Sequence, residues 1–168
     1  MLFVLLVLLL GFAFYKRLFL FAVVLVLSAV VQYLTHRGQI KFNLGHVFFL
    51  AIIIARLEGR LAAALFIIFA GFLPQIPVGN LDLRVLLSYP WQILIVSLSL
   101  LFPAESLMFI GIILAILNYS VIFLISNAVN EPFPEKITEI LVPLIMNIIY
   151  FASMLNPVMN IIGLVIQV

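Results

Sequence analysis

Long apolar runs alternate with short polar stretches along the chain. A membrane-spanning helix needs about 20 predominantly apolar residues, so runs of this kind predict transmembrane helices. A last apolar stretch, residues 137–168, contains Pro143 and Pro157 and predicts either one long kinked helix or a helix followed by a shorter piece. The pattern therefore predicts six or seven spans, the earlier ones being residues 1–15, 18–34, 42–55, 61–73, 91–102 and 103–126.

The first run is expected to remain in the protein as a somewhat short helix. A secretory signal carries basic residues ahead of its apolar core, whereas Lys16 and Arg17 follow the core here. The alternatives are a segment that is removed or one that lies in the membrane interface.

The polar stretches between the runs predict the connections. Residues 81–89 are expected to form a short interfacial helix, with Asn80 as its N-cap and with Tyr89 and Trp91 at the level of the lipid headgroups. Residues 130–136 are the most obvious aqueous loop. A break is also expected at residues 56–60, because three charges within five residues are costly at mid-membrane.

Composition supports an all-α, polytopic transmembrane bundle in one domain, residues 1–168. Of the 168 residues, 67% are hydrophobic and 8% are charged, against roughly 25% charged in soluble domains. A transmembrane β-barrel alternates apolar and polar positions, and the runs here are apolar on every side. The expected location is the cell membrane, with several passes and with membrane lipid as the surroundings.

The few charges exclude some functions and leave the orientation open. Eight basic and six acidic residues give a net charge of +2. This charge is too small to indicate a basic surface that binds nucleic acid. Each side of the predicted bundle carries four basic residues, so the positive-inside rule does not orient it. The absence of cysteine excludes disulfides, thiolate metal sites and thiol catalysis.

Polar side chains inside the later runs are the candidates for ligand binding. Asn118, Tyr119 and Ser120 lie near the middle of one predicted span. In the last stretch Asn147 and Tyr150 are followed, on one helix face, by Ser153, Asn156 and Asn160. Such residues either line a cavity or form hydrogen bonds between helices, and both interpretations stay open.

The densest charge cluster is Arg56, Glu58 and Arg60, which predicts either contact with a lipid head group or partner, or a tight turn anchored at the lipid phosphates. His36 and His46 have no other ligand at metal-binding spacing, so no metal or cofactor is expected. No catalytic motif occurs, and no acidic residue is expected deep in an apolar run. The chain is therefore expected not to be an enzyme.

The stretch from Phe48 to Ala63, an apolar helix, a Gly59 turn and a helix with small residues, resembles two membrane families. They are the substrate-binding S component of energy-coupling-factor vitamin transporters and the rod-shape protein MreD. Pro143-x-x-x-Asn147 is similar to their last helix. In S components an Ala-x-x-x-Ala pair on the first helix binds the transporter partner, and here Ala51 and Ala55 lie on a later helix.

The resemblance implies a non-enzymatic, small-molecule-binding subunit of a transporter, with other membrane subunits as partners. The alternative is an MreD-like scaffold of a larger membrane complex, and a third hypothesis is a lipid-acting enzyme with Glu58 as base between two arginines. For the first hypothesis, the residues expected at the ligand are Asn80, Asp82, Arg84, Asn118, Tyr119, Asn147, Tyr150 and Asn156.

Overall fold

The computed structural model describes residues 15–37, 43–103 and 106–167, with side chains as far as Gly163. These residues form helices and connecting turns, with no strand among them. Six helices follow one another along the described chain. They are α1 (Lys16–Arg37), α2 (His46–Glu58), α3 (Arg60–Gln75), α4 (Leu83–Leu101), α5 (Leu107–Ala128) and α6 (Phe133–Gln167).

Successive helices run in opposite directions, so the molecule has two ends. At one end, which we call the His36 end, His36 at the end of α1 lies beside Glu139 near the start of α6. At the other, the Arg56 end, Arg56 near the end of α2 donates a hydrogen bond to the carbonyl oxygen of Ser99 in the last turn of α4.

Four of the six described helices, α1, α4, α5 and α6, are long and apolar enough to cross a membrane. The chain is accordingly a membrane protein. The other two described helices, α2 and α3, are shorter. These two form a hairpin at Gly59, whose φ of 86° is open to glycine and costly for other residues. The expected break at residues 56–60 is confirmed. The predicted first span lies outside the described residues, apart from Tyr15.

Helix α1 buries its polar face and exposes its apolar face, the reverse of a helix in a water-soluble protein. Its buried residues are Ser28, Gln32 and His36, which recur every four positions on one face. Its large apolar side chains, including Leu27 and Leu34, are exposed. A soluble helix buries its apolar stripe, so this arrangement fits a lipid environment outside and a polar interior.

Helix α4 corrects two expectations. The interfacial helix and the fifth predicted span form one continuous helix that passes through Pro90. Its N-cap is Asp82, whose carboxylate accepts a 2.7 Å hydrogen bond from the Val85 amide, and not Asn80, which is buried. Trp91, expected at the headgroups, packs against the hydrophobic core.

The last apolar stretch forms one long helix, α6, and not a helix followed by a shorter piece. Two π-helical segments, Ile137–Leu141 and Tyr150–Met154, interrupt its α-helical parts. Each ends a few residues before a proline, Pro143 and Pro157. Proline removes one backbone hydrogen bond and clashes with the preceding turn, and the wider π turns accommodate both effects.

Helices α5 and α6 approach closely at Gly111, which faces the fully buried ring of Phe151. A Cβ atom at Gly111 would lie 2.8 Å from Cγ of that ring and closer still to two other ring carbons. The glycine therefore sets the distance between the two helices.

We expect Gly111→Ala to lower the free energy of unfolding by about 1–3 kcal/mol, because the added methyl group overpacks the core. Unfolding in detergent micelles, followed by circular dichroism, measures the loss. Gly163→Ala on α6 is the matched control, since no described atom lies within 4 Å of its added Cβ. Equal stability of the two variants would contradict the close approach.

Candidate ligand-binding site

Four charged or titratable side chains form a buried cluster at the His36 end. Arg84 Nε lies 3.1 Å from Glu131 Oε1, and Arg84 Nη1 lies 3.9 Å from Glu139 Oε2. His36 Nε2 is 3.6 Å from the same Glu139 oxygen. All four side chains are at most 6% exposed. Asp82, half-exposed, adds a 3.7 Å contact to Arg84 from the surface.

Glu131 is held in the loop between α5 and α6. Ser126 in the last turns of α5 donates a hydrogen bond to its carboxylate, and the Glu131 amide donates to the Ser126 carbonyl oxygen at 3.0 Å. Burial raises the pKa of Glu131, while the Ser126 hydrogen bond and the Arg84 guanidinium oppose the rise. The residue is thus a buried acid that Arg84 helps to keep ionised.

A polar cavity of about 50 Å³ adjoins this cluster. A cavity needs about 10–15 Å³ to hold one water, so this one has room for ordered water or for a small solute. Each of the six described helices contributes to its wall. The polar residues that line it are Gln32, Asn43, Gln75, Arg84, Ser88, Tyr89, Gln92, Asn118, Tyr119 and Glu139.

Two amide side chains in this wall have buried polar atoms without hydrogen-bond partners among the described residues. Asn118 is completely buried, and neither its amide nitrogen nor its amide oxygen has a partner there. The same holds for the side-chain oxygen of Gln32, which is 2% exposed. Buried polar groups in folded proteins are almost always hydrogen-bonded. These atoms indicate that the cavity holds a polar molecule, either water or a ligand.

Other polar residues brace the wall through contacts with one another. Gln75 at the end of α3 donates a hydrogen bond to the Tyr89 hydroxyl on α4 and accepts one from Asn80 at 3.0 Å. Asn80 does not line the cavity itself. It contacts Gln75, which does. Gln75 was not among the expected site residues, yet it connects α3 to the cavity.

Asn147 is used for packing between helices. Its side-chain nitrogen lies within hydrogen-bond distance of the Gly45 carbonyl oxygen (3.0 Å), the Tyr119 hydroxyl (3.2 Å) and the Pro143 carbonyl oxygen (2.8 Å). It joins the start of α2 to α5 and α6. It positions Tyr119, which does line the cavity.

The remaining expected ligand residues lie away from the cavity lining. Tyr150 packs against Phe49, with ring centroids 5.4 Å apart and the rings tilted by 43°. Asn156 is exposed on α6, as are Ser153 and Asn160, so this polar face points outward. At the Arg56 end, Glu58 and Arg60 are exposed while Arg56 is half-buried. The structure therefore brings together Arg84, Asn118 and Tyr119 of the expected set.

Reasoning from the sequence missed Gln32, His36, Glu131 and Glu139. Glu131 and Glu139 are both buried, although Glu131 stands in the stretch 130–136 that was expected to be an aqueous loop. A usable signal was present, since Ser28, Gln32 and His36 recur every four residues and mark a polar face on an otherwise apolar helix.

Among the described residues, no group of three or more His, Asp or Glu side chains is arranged to hold a metal ion. Neither a protein-family model, nor a curated protein, nor a solved structure matches this chain. Its function is accordingly inferred from the geometry of the cavity and from the charges around it.

Proposed function

We propose that this protein is a multi-pass integral membrane subunit that binds a small polar molecule in the cavity at its His36 end, in the manner of a transporter S component. The observation that supports this proposal most is the polar cavity with the unsatisfied Asn118 amide in its wall. A small polar molecule gives that amide the partners that the described protein atoms do not give.

The energetics favour an occupied cavity. A buried donor or acceptor without a partner costs about 1–3 kcal/mol. Three atoms are in this state, the amide nitrogen and the amide oxygen of Asn118 and the amide oxygen of Gln32. A ligand that satisfies all three recovers this free energy on binding.

The position of the cavity suits a binding subunit. It is built where all six described helices meet, so that filling it affects their packing. Helix α1 contributes Gln32 to the wall and shows an apolar face outward. Movement of α1 within the lipid would open the cavity without exposing an apolar face to water.

Replacing Asn118 with alanine should weaken retention of the bound molecule about tenfold or more, since each neutral hydrogen bond contributes about 0.5–1.5 kcal/mol and two are removed. Native mass spectrometry of the gently extracted protein measures the occupied fraction. Asn127→Ala, an exposed asparagine on the same helix, is the matched control and should retain the molecule. Unchanged retention in Asn118→Ala would contradict the proposal.

One observation favours a second candidate, an MreD-like scaffold subunit. Asn147 does not itself line the cavity, and its hydrogen bonds go to Gly45 and Tyr119 on neighbouring parts of the fold, as expected of a polar residue that pairs helices. Under that hypothesis the protein co-purifies with partner subunits and without a stoichiometric small molecule. The same mass spectra separate the two candidates.

A further inference from the structure

An apolar groove lies at the Arg56 end, away from the polar cavity. It encloses about 210 Å³ between residues 17–24 of α1, 50–58 of α2 and 158–162 of α6, and we call it the α1–α2–α6 groove. Its lining residues are apolar except for Arg17 and Glu58. No residue lines both this groove and the polar cavity, so the groove is a separate site.

The two charged residues stand at one end of the groove. Arg17 is in the first turn of α1, and Glu58 is the last residue of α2. From there the lining continues along α1 to Val24 and back along α2 to Leu50. These lengths of helix span about 10–12 Å, and half of a bilayer's hydrocarbon core is about 15 Å deep. The groove therefore follows most of the depth of one leaflet, with its charged end toward the lipid headgroups.

Arg17 makes the charged end of the groove suitable for a phosphate. Its side chain is exposed, and none of the ion pairs among the described residues involves it. A guanidinium binds phosphate oxygens through two parallel hydrogen bonds. The first turn of α1 contains no acidic residue, and a helix N-terminus adds about half a positive charge. This positive charge is available to an anionic group of a lipid.

Glu58 restricts which phospholipid fits. Its side chain is exposed and takes part in no ion pair among the described residues, and nearby Arg56 donates to the Ser99 carbonyl oxygen. A carboxylate accepts hydrogen bonds from N–H groups and repels a second negative charge. A primary ammonium group donates such bonds, whereas the quaternary ammonium of choline has no N–H. The two charges therefore match a head group that combines a phosphate with a primary ammonium.

We propose that the α1–α2–α6 groove binds a phospholipid with a primary ammonium head group, of the phosphatidylethanolamine class. One acyl chain lies along the apolar lining, the phosphate contacts Arg17 and the ammonium contacts Glu58. The lipid joins α1 to α2 and α6 at the end of the molecule opposite the polar cavity. The inference goes beyond the proposed function and does not depend on what the cavity holds.

Binding of three phospholipids with the same acyl chains tests the proposal. The purified protein is stripped of lipid in detergent and supplied with phosphatidylethanolamine, phosphatidylcholine or phosphatidylglycerol, and native mass spectrometry gives the bound fraction of each. We expect phosphatidylethanolamine to bind about threefold or more tightly than the other two, which is the usual size of one additional contact between exposed opposite charges.

Two variants test the two charges separately. Arg17→Gln should weaken binding of phosphatidylethanolamine and phosphatidylcholine alike, by about threefold or more, because both lipids carry the phosphate. Glu58→Gln should abolish the preference for phosphatidylethanolamine and leave phosphatidylcholine binding unchanged, because only the ammonium contact is lost. The matched controls are Arg60→Gln and Glu135→Gln, which change exposed residues that do not line the groove. Both should bind the three lipids like the parent protein.

The outcomes that would overturn the inference are distinct. Equal binding of the three lipids by the parent protein would remove the role of the head group. A preference for phosphatidylethanolamine that persists in Glu58→Gln would show that the ammonium is bound elsewhere, and tighter binding of phosphatidylglycerol would show that Glu58 does not face the head group. None of these results affects the proposed function, which depends on retention of a small molecule by Asn118.

Discussion

Replacing Arg84 with methionine should lower the free energy of unfolding by about 3–5 kcal/mol, the usual cost of removing one partner from a buried ion pair. The substitution leaves Glu131 and Glu139 buried without the guanidinium that lies 3.1 Å and 3.9 Å from them. Thermal unfolding in detergent micelles at neutral pH measures the loss.

Two controls show that the charge of Arg84, and not its bulk, is responsible. Arg60→Met removes an exposed arginine at the Arg56 end and should change the unfolding free energy by no more than about 0.5 kcal/mol. The triple variant Arg84→Met, Glu131→Gln, Glu139→Gln removes the three charges together and should recover most of the loss. An Arg84→Met variant as stable as the parent would show that the cluster is not a buried ion network.

The helices were predictable because the physical signal for them is local. A run of apolar residues bounded by Gly59 or by the charges at Lys16 and Arg17 is sufficient to locate a helix. The failure at α4 has a local cause as well. Asp82 and Arg84 are charged, and Pro90 interrupts the run, so the segment was divided in two. The structure buries Arg84 against acids, and so the helix passes through the polar residues without a break.

The charged cluster was not predictable in the same way. His36, Arg84, Glu131 and Glu139 come from three helices and a loop, so no single stretch of the sequence contains the cluster. Each charge also lies near the end of an apolar run, where a position at the lipid headgroups is the ordinary expectation. Only the packing of the helix ends brings them inward.

Some of the expected ligand residues lie on the buried face of their helix and others on the exposed face. Asn118 and Tyr119 lie on the buried side of α5, whereas Asn156 lies on the exposed side of α6. In an apolar helix every face is hydrophobic, so the sequence does not reveal which face is buried. Polar residues mark the buried side of α1 but the exposed side of the later part of α6.

Gly45, the N-cap of α2, is the second position at which we expect a large effect. Its φ is 68°, and its carbonyl oxygen accepts the hydrogen bond from Asn147. A Cβ atom there would lie 2.8 Å from the Pro143 carbonyl oxygen and 3.1 Å from the Pro143 Cα. These are backbone atoms, which cannot rotate away, so the start of α2 would have to separate from α6.

Gly45→Ala should therefore lower the free energy of unfolding by about 2–5 kcal/mol, the sum of roughly 1–2 kcal/mol for the left-handed backbone and about 1–3 kcal/mol for overpacking. Gly79→Ala separates the two contributions, because Gly79 has a φ of 69° and no described atom lies within 4 Å of its added Cβ. It should lose only the backbone part. If both variants lose the same amount, α2 does not pack closely against Pro143. If Gly45→Ala loses more, as expected, the Pro143-x-x-x-Asn147 segment is the surface that fixes α2 beside the cavity.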